Sequence, residues 1–241
     1  MAKIIQDIKP RGIASAYVDA PFDKGKTELE ANNYHIISLE ENANLRMQEG
    51  KDAYVSRNGN WTREGVLYVP DKGIFLTKNS PIMTNAKEAT NCHRKGKEFY
   101  LTNEQIEEAL ADSIELKAEN IPTNRFGENS TAVYAFGDSA KQYGEFLKDT
   151  GIKEMPVCLV NLETKPFARQ MWFRYLDCKS ELCGYKDLGF DIGVRGVGSG
   201  SVEGTQKNSE AYTPKQISNG LKKLGFTGLE KTLIETLKQE A

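Results

Sequence analysis

At 241 residues, with 27% charged and 39% hydrophobic side chains, the chain is long enough to bury a sizeable core and too apolar for a disordered protein. Lys plus Arg number 32 against 34 Asp plus Glu, a net charge of −2, which excludes the bulk basic balance of most nucleic-acid binders while leaving a local basic patch open. The first residues form no apolar run of signal-peptide length, stretches such as Met155 to Val160 are far short of a membrane span, and four cysteines are too few to staple the chain. The expectation is a cytoplasmic protein with reduced thiols and no membrane segment.

In chain order, the first third reads as strands bounded by turn residues: 12–19, 34–39, 52–56, 65–69 and 73–77. Asn58-Gly59 suggests a tight hairpin between the third and fourth. Ala20 to Thr27 (APFDKGKT) fits the relaxed phosphate-loop pattern, but the few residues before the next strand leave little room for the helix such a loop must open.

Helices are expected from residue 81 onward. Pro81 opens one, residues 86–95 form another that stops at Gly96, and Thr102 with Gln105 makes a capping box for residues 103–112. A strand at 131–136, a helix at 139–148 capped by Asp138 and a strand at 155–161 would form one strand–helix–strand unit. Residues 170–177 (QMWFRYLD) alternate as a strand with a partly covered second face, and 188–194 reads as another. A Gly- and Ser-rich stretch, 196–209, precedes two amphipathic helices at 214–224 and 229–239. The fold class expected is therefore α+β (mixed α/β), with a predominantly β N-terminal third, one βαβ-like unit in the middle and a C-terminal helical pair. Residues 1–212 would form the globular domain and 213–241 a helical hairpin packed on it.

Ala135-Phe136-Gly137-Asp138-Ser139 resembles the first block of the GDSL esterase family, which implies Ser139 as a nucleophile. That family carries its histidine in an Asp-x-x-His motif near the C-terminus, whereas His35 and His93 both precede Ser139 here. A nucleophilic serine needs such a base, and capping by Asp138 accounts for the same residues. The spacing of Cys178 and Cys183, with Cys92-His93 elsewhere, would suit zinc; no second Cys-x-x-Cys supports it, so no metal is expected.

The remaining features point to an anion. Arg125, Arg169, Arg174 and Arg195 lie beside aromatic and turn residues, and Gly196, Gly198 and Gly200 offer unhindered N–H groups after a strand. The expected function is binding of a phosphorylated metabolite, nucleotide or RNA between the 169–174 strand and the 193–204 loop. If chemistry follows, Asp191 and His93 are the acid–base pair; the sequence names no cofactor and does not settle whether the protein is an enzyme. The alternative is a non-catalytic assembly or adaptor protein, such as a homo-oligomer, acting through its surface and C-terminal helices.

Overall fold

In the computed structural model, which describes residues 4–8, 14–176, 179–189 and 193–198, the chain alternates short strands with short helices. The order is β1 (Ile4–Ile8), β2 (Ala14–Val18), α1 (Phe22–Ala31), β3 (Tyr34–Ile36), α2 (Leu39–Glu49), α3 (Tyr54–Arg57), β4 (Asn60–Val69), β5 (Gly73–Thr77), α4 (Pro81–Thr84), α5 (Ala86–Arg94), β6 (Phe99–Tyr100) and α6 (Asn103–Leu110). There follow β7 (Ser113–Glu115), β8 (Glu119–Pro122), a 3-10 turn, α7 (Ser130–Phe136), α8 (Ala140–Asp149), β9 (Glu154–Cys158), β10 (Phe167–Phe173), β11 (Leu182–Cys183) and β12 (Val194–Gly198). The strands make one mixed sheet whose main path is β1-β2-β12-β4-β10-β11-β9-β8, so the fold is α+β.

The longest strand, β4, shows how the core is divided. Its residues alternate between faces: Val66 and Tyr68 join one apolar cluster, while Trp61, Leu67 and Val69 join the other. The first cluster is closed by Leu39 and Ala43 of α2, Phe136 of α7 and Tyr143 and Leu147 of α8. The second is closed by Phe22 and Leu29 of α1, Ala89 of α5 and Ile106 of α6. Both faces being covered, β10 is buried on both sides: Met171 and Phe173 face the first cluster, Ala168 and Trp172 the second. On the second face Gln170 and Trp172 are buried while Arg174, just past the end of the strand at Phe173, stays half-exposed.

Close packing on the first face depends on Gly144 in α8. A Cβ there would lie 2.4 Å from Phe126 Cβ and 2.8 Å from the Thr123 carbonyl oxygen. Gly144→Ala should therefore cost about 2 kcal/mol, despite alanine's better helix propensity, read as a lower urea midpoint; an unchanged or raised midpoint would contradict this packing.

Several expected elements change. The N-terminal third is not predominantly β, because α1, α2 and α3 interrupt it. Residues 52–56 contribute to α3 rather than a strand, and the hairpin turn lies between β4 and β5, where Asp71 takes φ 64°, not at Asn58-Gly59. Residues 20–27 enter α1, with Gly25 against Val194 and Lys26 paired to Glu30 at 2.6 Å, so no phosphate loop forms. Residues 131–136 are helical: Asn129 caps α7 by accepting from the Ala132 N–H, and Ala132, Ala135 and Phe136 present one buried face. With that strand gone the expected βαβ unit over residues 131–161 does not form, and β9 pairs antiparallel with β8 and parallel with β11. Asp138 lies in a 3-10 turn and makes no cap to α8. The expected helices at 214–224 and 229–239 lie outside the described residues, as does the loop beyond Gly198. No helix among the described residues is long and apolar enough to cross a membrane.

Candidate functional site

Arg169 leaves β10 toward Glu98, just before β6. Its Nε donates to Glu98 Oε2 at 3.0 Å, its Nη2 to Glu98 Oε1, and its Nη1 to the Tyr185 carbonyl at 2.5 Å. His93, near the end of α5, lies beside the same carboxylate, with Nε2 3.7 Å from Glu98 Oε2 and Nδ1 3.7 Å from Asp187 Oδ1. The Leu188 N–H donates to Nδ1 at 3.1 Å, which puts the ring proton on Nε2. Burial, then the Arg169 charge, lowers the imidazole's pKa, so the ring is neutral. It is also enclosed, at 2% side-chain exposure.

The other arginines are engaged separately. Arg174 donates from Nη1 to Glu181 Oε2 at 2.8 Å and lies over the Tyr175 ring. Arg195, on β12, is fully buried; it donates to Ser15 Oγ at 3.1 Å and lies over Tyr17 and Tyr54. Arg125 is exposed and pairs with Glu128 at 3.0 Å, a surface contact of small energy. Gly196 and Gly198 are strand residues of β12 paired with β3, and a Cβ on Gly196 would meet the His35 carbonyl oxygen at 2.9 Å. Asp191 and Gly200 lie outside the described residues. The structure thus brings Arg169 and His93 together through Glu98, and sets Arg174 and Arg195 in contacts of their own. Ser139 donates to Asn44 Oδ1 at 2.7 Å, an amide that cannot serve as its base.

A different group of cations is open to solvent. Ser80 caps α4 with Pro81 at its first position, and Asn85 ends α4 and begins α5. Gly96, at φ 66°, reverses the chain after α5. Lys95 and Lys97, on either side of it, therefore line the same cleft as Lys87, together with Thr84, Asn85, Glu88, Asn91 and Cys92. The cleft measures about 690 Å³. Lys87, Lys95 and Lys97 are exposed and make no ion pair among the described residues. Thr84 also borders a second cleft of about 380 Å³, where Arg63 and Lys78 face Ser80, Gln105 and Glu108. The sequence signal for this surface was the basic run His93-Arg94-Lys95 at a helix end, which the helix dipole alone would favour.

Glu64 of β4 is a further residue that the sequence did not single out. It is 2% exposed, accepts from the Leu39 N–H at the start of α2 at 3.1 Å, and its pKa is pushed up to about 7, chiefly by burial. Among the described residues no group of three or more His, Cys, Asp or Glu is placed to hold a metal ion.

No protein-family model matches the chain, and no curated protein matches it in sequence. Its fold is similar to that of a solved structure described as "Accommodation of massive sequence variation in Nanoarchaeota by the C-type lectin fold", with a TM-score of 0.56. The likeness spans 80% of this chain and 99% of that one, at 15% identity. It is a likeness of fold, to the C-type lectin fold. At this identity the shared frame says nothing of a shared ligand.

Proposed function

We propose that the chain is a binding module that takes a phosphorylated small molecule, a nucleotide or phosphorylated metabolite, in the cleft beside α5. The observation that carries the reading is the set of Lys87, Lys95 and Lys97, exposed, facing one cleft and without ion pairs among the described residues. Ammonium groups are effective point charges for phosphate, and about 690 Å³ lies within the range of small-molecule sites. Asn91 adds an amide donor on the same wall, while the Asn85 amide is held by the Pro81 carbonyl and Thr84 Oγ1.

The anionic class of ligand expected from the sequence is kept, and its place is moved. Arg169 and Arg174 already face Glu98 and Glu181, and Arg195 is buried, so an incoming anion would have to displace internal partners there. Recognition rather than catalysis is favoured by the enclosure of His93. The C-type lectin fold of the similar structure is described as accommodating massive sequence variation. Carried to this chain, that supports a frame held by the two apolar clusters while exposed side chains choose the ligand.

Calorimetric titration with pyrophosphate and with a nucleoside triphosphate, at low salt, tests the reading. Replacing Lys87, Lys95 and Lys97 together with Ala should weaken binding by at least about tenfold, or roughly 1.4 kcal/mol, without lowering stability, because the three side chains are exposed. Equal affinity of the variant and the parent would overturn it.

A further inference from the structure

The parallel pairing of β9 with β11 sets Cys158 directly opposite Cys183. Paired neighbours on adjacent strands lie about 4.8 Å apart, inside the range of Cα separations that a disulfide spans. Their side chains also share a face: the preceding pair, Val157 and Leu182, both enter the first apolar cluster, so both cysteines point to the other side. Glu181 completes the group. Burial works against its charge, but hydrogen bonds from Cys158, Arg174 and Cys183 outweigh this and hold it below the usual carboxylate range. Both thiols therefore meet on one ionised carboxylate.

We propose that Cys158 and Cys183 are a redox modification site, a cross-strand dithiol that closes to an intramolecular disulfide on reaction with a low-molecular-weight disulfide. Cys158 is the partly exposed member and Cys183 the buried one, which sets the order of events. The Cys158 sulfur attacks one sulfur of the oxidant, forming a mixed disulfide and releasing one small thiol. The Cys183 sulfur then attacks Cys158 Sγ, expels the second small thiol and closes the protein bond. The dithiol loses two electrons and two protons, and the small disulfide gains both as two thiols. Closure ties β11 to β9 and removes the two thiol donors from Glu181, leaving its carboxylate to Arg174.

Burial, and then the bond to Glu181, raises the Cys158 thiol to about 11; burial raises Cys183 further still. Since the thiolate is the nucleophile, closure should be slow at neutral pH and accelerate about tenfold per pH unit up to about pH 10. A thiol of ordinary acidity would level off above about pH 8.5.

The experiment incubates the full chain with oxidised glutathione under native conditions at several pH values, quenches by acid and maps the unreduced peptides by mass spectrometry. The expected product is a Cys158–Cys183 linked peptide lighter by two hydrogens, with the steep pH dependence above. Cys183→Ser should instead stop at a stable mixed disulfide on Cys158. A stable mixed disulfide in the unaltered chain, a linkage to Cys92 or Cys178 in its place, or no reaction would overturn the proposal. The unaltered chain decides the matter even if the variant folds poorly.

Discussion

Replacing Arg46 with Ala should lower the unfolding free energy by about 4 kcal/mol. The side chain is fully buried in the first face of the core, and no acidic partner pairs with it among the described residues. Its guanidinium donates to Tyr143 Oη and Ser180 Oγ, both at 3.2 Å, and to the Arg174 carbonyl at 2.8 Å. It also stacks 3.9 Å from the centre of the Phe173 ring. Truncation would leave the Arg174 carbonyl without this donor, at about 1–3 kcal/mol, remove a desolvated cation–π contact of about 2 kcal/mol, and open a cavity between α2 and α8. Release of a desolvated charge offsets part of the sum. Arg46→Met should recover about half of the loss, because it refills the volume and keeps a contact on Phe173. Urea titration of the three proteins reads the effect. A loss below about 1 kcal/mol for Arg46→Ala would mean that the guanidinium is tolerated rather than required.

Glu64→Gln should raise stability, and only at neutral to alkaline pH. The folded-state pKa of Glu64 stands at about 7 against an ordinary value of 4.5, so the folded chain holds a proton that the unfolded chain releases. Below the unfolded pKa both states are protonated and there is no penalty. As pH rises from about 4.5 through 7 the penalty grows, reaching about 3 kcal/mol above the folded pKa. The helix N-terminus at Leu39 favours the carboxylate, but burial outweighs it. A glutamine in its place would not titrate, and the amide oxygen can still accept from Leu39. The variant should therefore match the parent near pH 4 and exceed it by about 3 kcal/mol near pH 8. A difference between the two that stays constant over this range would show that Glu64 is not the titrating group.

What the sequence allowed to be read depended on whether the signal was local. Pro81, Gly96 and the Thr102–Gln105 box act within one helical turn, and α4, α5 and α6 begin or end where they indicate. Ser38 and Glu41 form an equally complete box for α2, yet the β-prone Tyr34-His35-Ile36-Ile37 run before it drew Ser38 into an expected strand. Thr131, Val133 and Tyr134 favour strands by type, and the Asn129 cap together with the buried face of Ala132, Ala135 and Phe136 makes α7 a helix. The site followed the same rule. The arginines stand out by residue type, and the partners of Arg174 and Arg125 are sequence neighbours, Glu181 and Glu128, but those of the other two are not: Glu98 lies 71 positions from Arg169, and Ser15 lies 180 from Arg195. Lys95 and Lys97 converge with Lys87 because of the turn at Gly96, a three-dimensional consequence that composition does not display.

The proposed anion site beside α5 is tested most directly by a two-dimensional amide NMR titration of the full chain with pyrophosphate. Saturable shifts are expected on residues 84–97, concentrated around Lys87, Asn91 and Gly96. Shifts confined to β10 and β12, around Arg174 and Gly196, or no saturable shift at all, would contradict a site beside α5.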